Sequence, residues 1–269
     1  MRTPVRTALS HAAGWVADRR IPRPLRAPVY RAYARFTGAD LDEVRDPLPE
    51  HASLAEFFVR QLKPGARPIA GARDDLAAPC DGTVQAVGGV ERGSVLQAKG
   101  RSYPLVELLG RDDAAAACEG GSAWTIYLSP RDYHRVHAPE ACSLESVRRI
   151  GGTRFSVAPS VLDGRLVLPV NERAVFELAC ARGTLWLVMV GALNVGRIRM
   201  AGQRADDAGT IPRRFARGEE LARFEMGSTV VLLAPRGTVR PRPGLAPGDP
   251  VRLGAPIGAW VPAEVAIPT

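Results

Sequence analysis

Three short stretches carry residues whose types and spacing could do chemistry. In Arg223-Phe-Glu-Met-Gly227-Ser228-Thr229, a glycine precedes a serine at the entry to an apolar run, Val230-Val-Leu-Leu233. A serine hydroxyl so placed can attack the carbonyl of the residue before it, and glycine leaves that carbonyl uncrowded and the backbone free to bend. β-Elimination of the resulting ester would release the upstream chain and leave dehydroalanine, which hydrolyses to a pyruvoyl group. A ketone made this way is an electron sink comparable to a bound aldehyde cofactor. The same residues are also ordinary turn sequence, so the serine alone decides nothing.

The second stretch, Tyr127-Leu-Ser-Pro-Arg-Asp-Tyr-His134-Arg-Val-His137-Ala-Pro139, holds two of the four histidines. On a helix this spacing would put both on one face, as a metal pair requires. Pro130, Pro139 and β-branched Val136 favour extended chain instead, where odd spacing sends the two side chains to opposite faces and into different jobs. No further donors converge, and no metal is expected. The third stretch is Ala78-Pro-Cys-Asp81-Gly82-Thr-Val84, an Asp-Gly turn ahead of a strand. Asp81, His137 and Ser228 thus supply an orienting carboxylate, a base and a nucleophile, one of each.

The elements that must position these residues are mostly strands. From Ala77 onward short β-rich runs alternate with Gly and Pro: 83–87, 95–98, 124–128, 143–150, 174–178, 185–190, 195–200, 229–233 and 257–261. Residues 105–109 read as a helical turn and 235–250 as an extended loop. The fold class is α+β, a β-rich catalytic domain preceded by amphipathic N-terminal helices. Residues 1–46 form the helical segment and 47–269 the catalytic domain. One helix spans 7–20 and is broken by Pro22 and Pro24. A second follows Pro28, with Val29, Tyr30, Tyr33 and Phe36 on one flank and Arg31 and Arg35 on the other. Basic residues beside an aromatic face suit a helix lying in an anionic headgroup layer, although packing on the domain would leave a similar pattern. Ser53-Leu-Ala-Glu56 is a capping box that opens a helix to about Leu62.

Composition narrows the partners. The formal charge is +8, yet only Lys63 and Lys99 among the 36 basic residues are lysines, and the arginines are scattered. An anionic lipid surface fits this balance better than nucleic acid, which would need basic and aromatic residues clustered in the core domain. Cys80, Cys118, Cys142 and Cys180 have no CxxC spacing and read as reduced thiols. No apolar run reaches the ~18 residues of a spanning helix, and no secretory signal is expected.

Taken in order, Asp81-Gly82, Tyr127–Pro139, Phe155-Ser-Val157, Val190-Gly-Ala-x-x-Val-Gly196 and the block from Gly218-Glu-Glu to Gly227-Ser-Thr229 resemble bacterial phosphatidylserine decarboxylases. The similarity runs from about Leu54 nearly to the C-terminus. It implies a proenzyme cleaved between Gly227 and Ser228 into a large chain, residues 1–227, and a small chain blocked by a pyruvoyl group made from Ser228. It implies a self-cleavage triad of Asp81, His137 and Ser228, and a part for His134 in decarboxylation. Phe155 and Ser156 would line the headgroup pocket. The substrate, phosphatidylserine, would condense with the ketone as a Schiff base, lose carbon dioxide and leave as phosphatidylethanolamine, with no metal. A homodimer, peripheral on the cytoplasmic face of the membrane, is the implied assembly. Met226 stands where Leu or Gly often precedes the Gly-Ser bond.

Two other readings remain at this level. A pyruvoyl decarboxylase of a soluble amino acid would use the same Ser228 but have no use for an amphipathic N-terminus. A non-catalytic β-barrel binding module is suggested by Asp81–Val84 and Gly254–Gly258, yet neither lysine sits at a recognisable hairpin tip.

Overall fold

The computed structural model describes residues 17–98, 101–162, 165–192, 198–202, 211–225 and 228–262, with the backbone alone for 98, 160 and 228. Helices α1 (Arg23–Thr37) and α2 (Leu54–Phe58) precede strands β1 (Asp75–Ala77), β2 (Gly82–Gly89), β3 (Ser94–Ala98) and β4 (Arg101–Pro104). Two short helices, α3 (Leu105–Leu109) and α4 (Asp112–Ala117), lead to β5 (Ser122–Leu128), β6 (Arg135–His137) and β7 (Cys142–Ile150). After α5 (Pro159–Leu162) come β8 (Arg173–Cys180), β9 (Gly183–Gly191), β10 (Ile198–Met200), β11 (Arg213–Phe215) and β12 (Glu220–Phe224). The last strands are β13 (Ser228–Ala234), β14 (Val239–Pro241), β15 (Pro250–Val251) and β16 (Pro256–Trp260).

β13 explains the architecture. Its Val-Val-Leu-Leu run is apolar at every position because both faces of the strand are covered, and a continuous run is what full burial demands. Val230 and Leu232 join one core with residues of β6, β10 and β12 and with Leu76, Ile257 and Trp260. Val231 and Leu233 join a second core with α3, α4, Tyr103 and the segment around Val157–Leu168. The large sheet runs β11-β7-β8-β9-β13-β5-β2-β15 with antiparallel neighbours. One face carries the small sheets β10-β12-β6 and β1-β16-β14, and the other carries α3, α4, α5 and the β3-β4 hairpin, while α1 and α2 pack together in a third, smaller cluster. The expected β-rich α+β class is borne out.

Several boundaries differ from the sequence reading. α1 runs through Pro24 and Pro28 instead of starting after them. Pro24 sits in the first turn, where a missing N–H costs nothing, and Pro28 forfeits one intrahelical bond. Burial of Tyr30 and Ala34 outweighs that loss, and Gly38 ends the helix with φ +83°, its N–H donating to Ala34 O at 2.7 Å. The expected flank is also split. Tyr30 stacks on Phe57 at 4.5 Å, while Val29 and Phe36 face outward. Most of the expected helix at 7–20 lies outside the described residues. α2 is capped as expected, Ser53 Oγ accepting from Glu56 N, but stops at Phe58. Residues 235–250 are not one loop, since β14 and the first residue of β15 fall within them. Short strands such as β6, β11 and β12 carry too few residues to show an alternation in sequence.

Candidate active site

The Ser-Pro-Arg-Asp part of the histidine motif is a tight turn that closes off β5. Asp132 N donates to Ser129 O at 2.9 Å, and Pro130 supplies the φ that the second turn position requires. The Asp132 carboxylate accepts from both the N–H and the hydroxyl of Ser129, each at 2.7 Å. The turn delivers His134 and then β6, whose strand pairs Arg135 with Arg223, Val136 with Ala222 and His137 with Glu220.

The two histidines have separate environments, as extended chain requires. His134 is fully buried, with its ring 3.9 Å from that of Phe58. Its Nδ1–H donates to Asp132 O at 2.9 Å, and its Nε2 lone pair has no partner among the described residues. Burial pulls its pKa down to about 3, so the ring is neutral at physiological pH. The acid role expected from an ordinary imidazole pKa therefore needs a proton taken from elsewhere first. His137 donates through Nδ1–H to Gly218 O at 2.9 Å and accepts at Nε2 from the Tyr133 hydroxyl at 3.3 Å. Burial lowers its pKa too, partly offset by the bond to Gly218. Gly218 has φ +80°, the left-handed region that glycine adopts freely, and this turn presents its carbonyl to the imidazole.

Asp81 lies beside this strand, for His137 N donates to Pro79 O at 2.8 Å. Its carboxylate makes no hydrogen bond to His137. It accepts from Arg67 Nε and Nη2, the shortest at 2.7 Å, and from Leu253 N at 2.8 Å. Arg67 Nη2 also donates to Glu43 at 2.7 Å, so one partly buried guanidinium holds two carboxylates. Gly82 follows because the strands meet closely here: a Cβ would lie 2.4 Å from Tyr127 O.

Ser228 opens β13 and is flanked on both sides, opposite Leu128 of β5 and Gly191 of β9. Thr229 and Thr83 both pair with Tyr127, which brings Ser228 and Asp81 to the same end of the sheet, two strand spacings or roughly 10 Å apart. Phe224 N donates to His134 O, and four residues of chain, at most ~14 Å, separate Phe224 from Ser228. Gly227 lies outside the described residues.

Phe155 belongs to the opposite layer but is tied to the same strands through Asn171. Asn171 is fully buried and uses its whole amide. Oδ1 accepts from Phe155 N and the Thr153 hydroxyl, and Nδ2 donates to Phe155 O and to Gly191 O, all between 2.8 and 3.0 Å. Arg165 lies 3.7 Å over the Phe155 ring. Ser156 Oγ accepts from Ala158 N at 3.2 Å, a local turn bond. Sequence reasoning missed Arg67, Tyr133 as a partner of His137, Asn171 and Arg60. Arg60 is buried with Nη2 donating to Arg131 O at 2.9 Å, while its Nε and Nη1 have no hydrogen-bond partner among the described residues. An isolated Arg or Asn carries no spacing signal.

Against known proteins, a family model described as phosphatidylserine decarboxylase matches residues 54–259. The chain belongs to the phosphatidylserine decarboxylase family. It is similar to the phosphatidylserine decarboxylase proenzyme of Anaeromyxobacter sp. (strain K), 41% identical over 94% of each chain. The proenzyme of the same name from Halorhodospira halophila is 42% identical over 89% of this chain and 86% of its own. That of Myxococcus xanthus is 38% identical over 94% of each. The resemblance read from the motifs is borne out.

Proposed function

We propose that this phosphatidylserine decarboxylase family member is a proenzyme that cleaves itself between Gly227 and Ser228, and that it converts phosphatidylserine to phosphatidylethanolamine. The observation that carries the reading is Ser228 at the start of the central strand, pinned by pairing to Leu128 and Gly191, at the end where Asp81 lies and where His137 N bonds to Pro79 O. A pyruvoyl group made from Ser228 would supply an electron sink for the pair released as carbon dioxide leaves. Among the described residues two buried groups, His134 Nε2 and Thr229 Oγ1 of the residue after Ser228, have no hydrogen-bond partner.

His137 is the base of self-cleavage. Its Nδ1–H is held by Gly218, which fixes the tautomer and leaves Nε2 as the proton acceptor. The nearby Asp81 carboxylate favours the imidazolium that forms when His137 takes a proton. His134, neutral and with an open lone pair, accepts a hydrogen bond from the incoming substrate amine and relays a proton to carbon after decarboxylation. Phe155 and Ser156 contact the headgroup, held in register with Ser228 by Asn171.

α1 offers the lipid contact. Leu25, Val29, Ala32 and Phe36 form an exposed apolar stripe at helical spacing, with Phe36 91% exposed and Arg31 and Arg35 beside it. Such a stripe buries in a headgroup layer while the arginines meet anionic lipid. Among the described residues no helix is long and apolar enough to cross a membrane. A homodimer peripheral to the cytoplasmic face completes the reading, on the family resemblance. The intact mass of the purified protein beside Ser228→Ala tests it. Two fragments meeting at Gly227-Ser228, the smaller without a free amine, are expected from the wild type and a single chain from the variant. An uncleaved wild type with full decarboxylase activity would refute it.

A further inference from the structure

The four cysteines are all unbridged, but they are not equivalent. Cys80 and Cys118 are buried in different cores. Cys142 and Cys180 face each other directly across the antiparallel pair β7-β8. Directly opposed residues in such a pair have Cα atoms roughly 4.5 or 5.5 Å apart, depending on the pair type, and both separations lie within the range a disulfide spans. Both side chains also fall on the same side of the sheet, for Cys142 belongs to the first core and Cys180 packs against it. Cys180 is partly exposed at the end of its strand, just before the two-residue turn into β9, so a small oxidant can reach the pair.

We propose that Cys142 and Cys180 form a redox-active pair that closes to a cross-strand disulfide when the protein meets a peroxide. One sulfur, as thiolate, attacks a peroxide oxygen; the O–O bond breaks, one water is lost after protonation, and a sulfenic acid remains. The second sulfur displaces the hydroxyl of that sulfenic acid as water and forms the S–S bond. The two sulfurs together give up two electrons, and hydrogen peroxide is reduced to two waters. The contact between the thiols eases deprotonation of Cys142 at the expense of Cys180, which helps start the sequence. Because the strands are already at bonding separation, closure leaves their register unchanged.

The bond would staple the base of the site. On its other edge Cys142 pairs with Phe215, and the chain from Phe215 turns through Gly218, whose carbonyl holds His137. Closing a long loop between β7 and β8 restricts the unfolded chain. The proposal rests on residues upstream of Ser228 and is independent of the self-cleavage reading.

The test treats purified wild-type protein with a small excess of hydrogen peroxide, then alkylates it in denaturant and measures intact mass and a peptide map without reduction. The expected result is a loss of two hydrogens from the chain holding residues 142–180, two alkylated thiols in place of four, a linked 142–180 peptide, and a Tm several degrees higher that dithiothreitol reverses. Cys142→Ser and Cys180→Ser should each abolish the whole response. Four alkylated thiols after treatment, a bridge to Cys80 or Cys118, or sulfinic acid as the main product would overturn the proposal. The wild-type map decides between these outcomes even if a variant fails to fold.

Discussion

The burial of His134 has a measurable consequence for stability. In the folded chain its pKa is about 3, against 6.5 for the free side chain, because a fully buried imidazole cannot easily carry charge. The unfolded state therefore binds a proton that the native state refuses, so stability rises with pH between the two values and falls as pH drops below about 6.5. For this one group, moving from about pH 7.5 to about pH 5 costs on the order of 2 kcal/mol, or roughly 5 °C in Tm for a chain of this size. His137 and His51 are also depressed by burial and add to the same trend. The Asp132 carboxyl, raised by burial, opposes it. Comparing Ser228→Ala with Ser228→Ala/His134→Phe removes these common contributions and keeps a single uncleaved chain in both samples. Urea unfolding at the two pH values is the assay. The histidine protein should lose about 2 kcal/mol more than the phenylalanine variant. Parallel losses, within about 0.5 kcal/mol, would show that His134 is not held neutral, and the acceptor role assigned to it would fall with that result.

Three more outcomes are expected. Tyr133→Phe keeps the ring but removes the O–H that favours neutral His137, so protonation becomes easier and the acid limb of the self-cleavage rate moves up by a few tenths to about one pH unit; a gel-based cleavage time course across pH reads it, and an unmoved limb counts against the base assignment. Arg67→Gln leaves Asp81 and Glu43 without their shared cation, and a cost of roughly 3–5 kcal/mol together with slowed cleavage should appear in denaturant titration and gels. Phe36→Ser should weaken sedimentation with anionic vesicles while leaving Tm within about 1 °C, because an exposed side chain contributes little to the fold.

The family of this protein was legible in its residues because the motifs that carry the proposed chemistry are local. A serine after a glycine, two histidines in extended chain and an Asp-Gly turn keep their meaning wherever the fold takes them. Long apolar or alternating runs likewise announced β5, β7, β8, β9 and β13, since each strand must match the faces that cover it. The resemblance to the decarboxylases rested on these same stretches. What the tertiary structure alone decided is who holds whom. Asp81 is clamped by Arg67 from 14 residues upstream and by a backbone N–H from Leu253, not by His137. His137 is oriented by a carbonyl from Gly218 and capped by Tyr133, and Asn171 ties Phe155 to the strand beside Ser228. None of these pairings has a period or a spacing, because each joins groups far apart in the chain that meet only when strands pair. The pKa values follow the same rule, for burial of His134 beneath Phe58 is a property of packed layers and not of either residue.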